Sequence, residues 1–99
     1  MALPAEEIDN GWYLDSGATH HVTNDLNNLQ IKLEFKGGEK LAVGNGKTLA
    51  ISHIGSALIY ISNHKPLLLK DILYVPKITK NLISISKLLS DNKLMLDIL

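Results

Sequence analysis

Trp12-Tyr13-Leu14-Asp15-Ser16-Gly17-Ala18-Thr19 is the stretch on which the reading of this chain turns. An aromatic and apolar run delivers a carboxylate, a hydroxyl and a glycine in immediate succession. The run predicts a short strand, and Asp-Ser-Gly predicts the turn that ends it. Outward from it the same grammar repeats. Ile31-Lys32-Leu33-Glu34-Phe35 alternates apolar and polar residues, the period of a half-buried strand. Gly37-Gly38 reads as a two-residue hairpin turn into Lys40-Leu41-Ala42-Val43. Gly44-Asn45-Gly46 turns the chain into Thr48-Leu49-Ala50-Ile51, and Gly55 leads into Ala57-Leu58-Ile59-Tyr60-Ile61. Ser62-Asn63-His64-Lys65 is a third turn, before Leu67-Leu68-Leu69 and Ile72-Leu73-Tyr74-Val75. Strands at spacings of roughly eight to twelve residues predict an all-β fold, a small closed barrel or sandwich. Only the tail reads helically, through Leu82, Ile85, Leu88 and Leu89, with Ser84 or Ser86 as the cap. Leu94 to Leu99 alternates around Asp97 like a terminal strand. The expected division is a flexible lead-in over 1–10 and a single domain over 11–99.

Composition narrows the function. The 99 residues are 45% hydrophobic and 20% charged, within the globular range. A chain this short buries a modest share of its surface, so a partner subunit is an expected source of stability. There is no cysteine, which removes disulfides, thiol nucleophiles and zinc–thiolate sites. Ten acidic groups balance ten basic ones, and every cation is lysine. Without arginine's planar fork, nucleic acid is not the expected ligand. No apolar run is long enough to span a membrane as a helix, and the acidic start does not read as a secretion signal. The expectation is a soluble domain with no direct nucleic-acid or membrane partner and no cofactor.

The chemistry rests on Asp15. Two such carboxylates meeting at a symmetry axis, about 3 Å apart, cannot both ionise easily and share a proton. The ionised member then takes a proton from an attacking water, while the protonated member donates to the peptide carbonyl. Ser16 is suited to lock the two loops across the axis, and Gly17 to bring its N–H up to the carboxylate. The tripeptide alone is also ordinary turn chemistry, so its context carries the argument. Apolar residues precede it, a glycine-bearing hairpin follows, and one motif per chain requires a dimer.

Four ordered blocks sharpen this reading. They are Trp12 through Thr23, Val43-Gly44-Asn45-Gly46-Lys47 with Ile54-Gly55, Leu69 through Pro76, and Asn81 through Leu88. Together they resemble the protease region of copia-type LTR retrotransposon polyproteins, a branch of the retropepsin-like aspartic proteases. The resemblance implies a homodimeric all-β endopeptidase that cleaves the Gag-Pol polyprotein inside cytoplasmic virus-like particles. It makes Asp15 the catalytic aspartate, with Ser16, Gly17, Ala18 and Thr19 as the active-site loop. Val43, Gly44, Asn45, Gly46 and Lys47 become the flap over substrate. Leu82, Ile83 and Ser84 become the segment backing the catalytic loop, where retropepsins carry glycine in place of Ser84.

Other readings are weaker. His20-His21 with His53, His64 and Asp25 invites a metal, but adjacent histidines on a strand point to opposite faces and no ligand spacing completes a site. No metal is expected, and the pair is read as solvent or substrate-rim residues, with His21 near enough to the loop to influence the paired carboxylates. Ser16 lacks the G-x-S-x-G setting of a serine hydrolase. Asp71 has no Ser/Thr-Gly after it and reads as a surface or turn residue. Trp12 and Tyr13 read as core aromatics. The alternative function is a catalytically silent retropepsin-like dimerisation or peptide-binding module, binding extended peptide under the flap without cutting it.

Overall fold

The computed structural model describes residues 6–7, 11–60 and 65–92. These residues form β1 (Glu6–Glu7), β2 (Trp12–Asp15), β3 (Val22–Thr23), β4 (Ile31–Glu34), β5 (Lys40–Gly44), β6 (Lys47–Ala50), β7 (His53–Ile59), β8 (Leu67–Tyr74), β9 (Asn81–Ser84) and helix α1 (Ile85–Asn92). The protein is mostly β with one short helix towards its C-terminus. Seven strands make one sheet in the order β1-β2-β9-β3-β8-β7-β4, and β5 and β6 make a separate ribbon. Part of the expected lead-in thus joins the sheet, with Glu6 and Glu7 pairing antiparallel to Leu14 and Tyr13. Closure into a barrel does not follow from this order. The alternating tail from Leu94 to Leu99, and all but Lys65 of the turn expected at Ser62-Asn63-His64-Lys65, lie outside the described residues.

The site depends on one unusual placement. β9 lies between β2 and β3, parallel to the first and antiparallel to the second. The chain therefore leaves β2 through Asp15-Ser16-Gly17, arches over the end of β9 and descends as β3. β3 is itself parallel to β8.

From β4 to β7 the chain is one long bent hairpin. β4 pairs with β7, and Phe35 N–H reaches the Ser52 carbonyl at 2.9 Å. Beyond the bend, β5 pairs with β6. The expected hairpin turn at Gly37-Gly38 is therefore not formed. Those glycines belong to a detour within one arm, and the chain reverses instead at Asn45-Gly46. Asn45 (φ 54°) and Gly46 (φ 71°) both occupy the left-handed region, as a two-residue turn of type I′ requires. β4 also differs from expectation: it is the sheet's outer edge, where Ile31 and Leu33 are about two-thirds exposed. Its alternation reports a strand, but among the described residues no element covers the face that Ile31 and Leu33 share. Gly55, opposite Lys32, keeps this ladder closed, because a methyl group there would overlap the Ile31 carbonyl oxygen.

The two runs read as separate strands, Leu67 to Leu69 and Ile72 to Val75, join into β8. A bulge separates them, with Asp71 in the left-handed region (φ 55°) and the β7–β8 register shifting opposite it. The bulge lets Leu69 and Ile72 face the same core. That core comprises Trp12, Leu29, Ala57, Ile59, Leu69, Ile72, Ile83 and Leu88, on the side that α1 covers. On the opposite side Val22, Leu73 and Val75 form a smaller cluster with Leu41, Leu49, Ile51, Ile54, Ile78 and Leu82 packed on it. Adjacent residues such as Ile72 and Leu73, or Leu82 and Ile83, divide between the two sides as the period of two dictates.

Candidate functional site

Asp15 is the last residue of β2, half-exposed at the point where the strand turns. Its carboxylate is held by the loop it begins: Gly17 N–H donates to Asp15 Oδ1 at 2.8 Å, and Ala18 N–H to the Asp15 carbonyl at 3.4 Å. The expected approach of the Gly17 amide to the carboxylate is thus present. Ser16 is exposed at the turn.

The carboxylate opens onto a cleft of about 450 Å³. One wall is the loop itself, through Gly17, Ala18, Thr19 and His20. A second wall is the arm of the β5–β6 hairpin, through Leu41, Ala42 and Val43, and a third is Ile78, Thr79 and Lys80, with Val22 and Leu82 also lining the space. Asp15 is the one carboxylate among the described residues of the lining. Of the residues expected in the flap, Val43 lines the cleft, while Gly44, Asn45, Gly46 and Lys47 form the hairpin tip beyond it. A second cavity of about 590 Å³ continues under the hairpin from Thr19, His20, Leu41 and Ala42 towards Phe35, Ile51, Ile54 and Leu73.

Behind the loop, Asp15 pairs with Ser84 and Leu14 with Ile83 along the parallel ladder. Leu82 faces the cleft, Ile83 is fully buried in the main core, and Ser84 is fully buried at the head of α1. Serine at this position has a physical reason. Ser84 Oγ accepts the N–H of Lys87 at 3.3 Å, the bond made by a helix N-cap, and contacts Ser86 Oγ at 3.2 Å. Glycine would leave α1 without that acceptor. Ser84→Ala is expected to lower stability by about 1 kcal/mol, as read by urea denaturation. Equal stabilities for serine and alanine at this position would remove the capping role.

The two histidines diverge. His20 is exposed at the cleft, its Nδ1 2.9 Å from Thr19 Oγ1. His21, read from the sequence as a rim residue, is fully buried instead. Its Nδ1 accepts Ser84 N–H at 3.0 Å, so the proton of the neutral ring sits on Nε2 and is donated to Asp91 Oδ2 at 3.0 Å. Asp91 also accepts Lys70 N–H at 3.0 Å and lies 3.9 Å from Lys87 Nζ. The remaining candidates for a metal cluster are dispersed. Asp25 caps the 3-10 turn Leu26–Asn28, His53 lies against Tyr74, and His64 is outside the described residues. Trp12 is a core residue, whereas Tyr13 lies half-buried beneath Lys80 Nζ, 4.9 Å from its ring centre. Asp71 is exposed on its bulge and lines the second cavity.

Burial holds His21 below the ordinary histidine range, with the hydrogen bond and charge of Asp91 pulling the other way. Below about pH 6.5 the unfolded chain gains a proton that the folded ring resists, so stability falls as pH drops below that point and levels off below the folded pKa. The slope is at most about 1.4 kcal/mol per pH unit. Denaturation midpoints between pH 7.5 and 5.5 measure it. The slope should flatten in His21→Asn, and an unchanged slope there would assign the effect elsewhere.

Comparison with known proteins agrees with this architecture. The family described as "Pol polyprotein, beta-barrel domain" matches residues 12–93. The chain is 47% identical over 92 residues to the retrovirus-related Pol polyprotein from transposon RE1 of Arabidopsis thaliana. It is 44% identical over 97 residues to that from transposon RE2 of the same plant. These alignments cover 93% and 98% of this chain but only 6% and 7% of the two polyproteins. No solved structure matches the chain significantly. With β2 through α1 inside the matched region, the chain belongs to the Pol polyprotein beta-barrel domain family.

Proposed function

We propose that this domain is the aspartic endopeptidase of a copia-type retrotransposon polyprotein, active as a symmetric homodimer with one Asp15 from each chain. The observation that carries the reading is the single carboxylate, fixed by a loop N–H at a strand end and facing a cleft under a β-hairpin. In that dimer the two carboxylates share one proton. The ionised partner removes a proton from water as its oxygen attacks the peptide carbonyl, and the protonated partner donates to the carbonyl oxygen. Collapse of the tetrahedral intermediate breaks the C–N bond and returns a proton to the departing amine. The hairpin arm gives an extended substrate both a roof and a strand to pair with. Leu41, Ala42, Val43, Ile78 and Leu82 make the walls suited to apolar side chains. The substrate proposed is the Gag-Pol polyprotein itself, processed within cytoplasmic particles.

Cleavage of a denatured polyprotein fragment at about pH 5, across a range of enzyme concentration, tests the reading. Activity per chain should rise with concentration as dimers form. Activity per chain independent of concentration at all dilutions would overturn the shared dyad. A folded chain that never cleaves would replace it with the silent peptide-binding module.

A further inference from the structure

β3 is two residues long and shares a single residue pair, Val22 with Leu82, with the strand beside it. So short a ladder needs side chains to hold β9 between β2 and β3. At the end away from Asp15 this is Asn81. Its Oδ1 accepts the Thr23 hydroxyl at 2.8 Å and Asn24 N–H at 3.1 Å, and its Nδ2 reaches the Gly11 carbonyl at 3.4 Å. At the end beside Asp15 it is His21, whose ring takes the N–H of Ser84, the residue paired with Asp15. The His21 carbonyl also accepts Leu73 N–H at 2.9 Å, and Asp91 carries the connection on to α1 and to the Lys70 N–H of β8. One buried ring therefore joins the catalytic loop's descending strand, its backing strand, the helix and the inner strand β8.

We infer that His21 is a positioning residue for Asp15, its neutral ring setting through the Ser84 N–H where the end of β9 lies against the catalytic strand. This rests on the role of Asp15 proposed above. A buried N–H that loses its acceptor moves to find another, and the strand end moves with it. Displacing a reacting group by about 1 Å costs on the order of 10²-fold in rate. The link is also sensitive to protons, because a protonated Nδ1 would face the Ser84 N–H donor to donor. The charged groups around the ring are Asp91 and Lys87 on α1 and Asp71 on β8.

Two variants separate the arms of the ring. In His21→Asn the side-chain carbonyl falls near the place of Nδ1, keeping the acceptor for Ser84 and releasing Asp91. In His21→Gln the longer side chain reaches towards Asp91 and leaves Ser84 without its acceptor. The Asn variant should keep kcat within about threefold of wild type, and the Gln variant should lose about tenfold to a hundredfold with KM little changed. Equal kcat in the two variants, or an unchanged kcat in the Gln variant, would overturn the inference. A readout independent of cleavage, and of whether either variant folds, is nuclear magnetic resonance on Asp15→Asn with His21 intact. As pH falls, the Ser84 and Gly17 amides should shift with the same midpoint as the His21 ring. A Gly17 amide indifferent to that titration refutes the positioning role whether or not the wild type cuts peptide. A wild type that never cleaves, with the amides moving together, refutes the protease reading and leaves the positioning intact.

Discussion

Asp15→Asn is expected to lower cleavage by about 10³-fold or more while the chain still folds. The reasoning begins with what asparagine keeps. Asp15 is half-exposed, and its Oδ1 accepts the hydrogen bond that Gly17 N–H donates. An amide oxygen at the same place accepts that bond, so the turn survives and circular dichroism should not change. What asparagine loses is the ability to take a proton from water or to hold one for the carbonyl oxygen. Because the proposed dyad is built from two chains, the variant has a second consequence. Excess variant chains added to wild-type enzyme should draw it into mixed dimers and suppress its activity. Full activity in the variant would sink the mechanism. Suppression absent at concentrations where dimers are shown to exchange would leave each chain acting alone.

The parts of this site that were legible in the sequence are those fixed locally. Leu14-Asp15-Ser16-Gly17 writes its own strand end and turn, because the Gly17 N–H and the Asp15 carboxylate are two residues apart. Asn45-Gly46 names its turn because few residue pairs accept two left-handed conformations in succession. Gly37-Gly38 has equally strong turn chemistry, yet β4 bypasses β5 for β7. That choice is made by the Ile31–Ser56 to Glu34–His53 register, and nothing near Gly37 encodes it. The exposure of Ile31 and Leu33 was hidden for a related reason: alternation identifies a strand but not whether anything lies over it. His21 was misread because its burial and both its ring partners come from far along the chain, Ser84 and Asp91. The available signal was two histidines in succession just before β3, of which one can face the interior, where a ring with two nitrogens needs two partners.

The largest expected loss of stability comes from Ile83→Ala, one residue from the position that caps the helix. Ile83 is fully buried among Trp12, Leu69, Ile72 and Leu88, on the strand that β2 and β3 clasp from either side. Truncation there removes buried methylene and methyl groups and leaves a void that neighbours on β2, β8 and α1 cannot close. The cost is about 2–5 kcal/mol, a large part of the whole stability of a domain this size. At roughly 4–8 °C per kcal/mol, the melting temperature should fall by at least about 8 °C. Ile83→Val, which keeps most of the volume, should cost about 1 kcal/mol. The neighbouring residue supplies the contrast. Leu82 points to the other side of the same strand, where it lines the cleft with Asp15 and Val43 and is only half-buried. Leu82→Ala should therefore cost less stability than Ile83→Ala and act chiefly by raising KM for peptides that place an apolar side chain against it. If the two substitutions proved equally destabilising, the division of β9 into a core face and a cleft face would fail. The placement of Asp15 on the cleft side would fail with it, since the same alternation along β2 and β9 sets both.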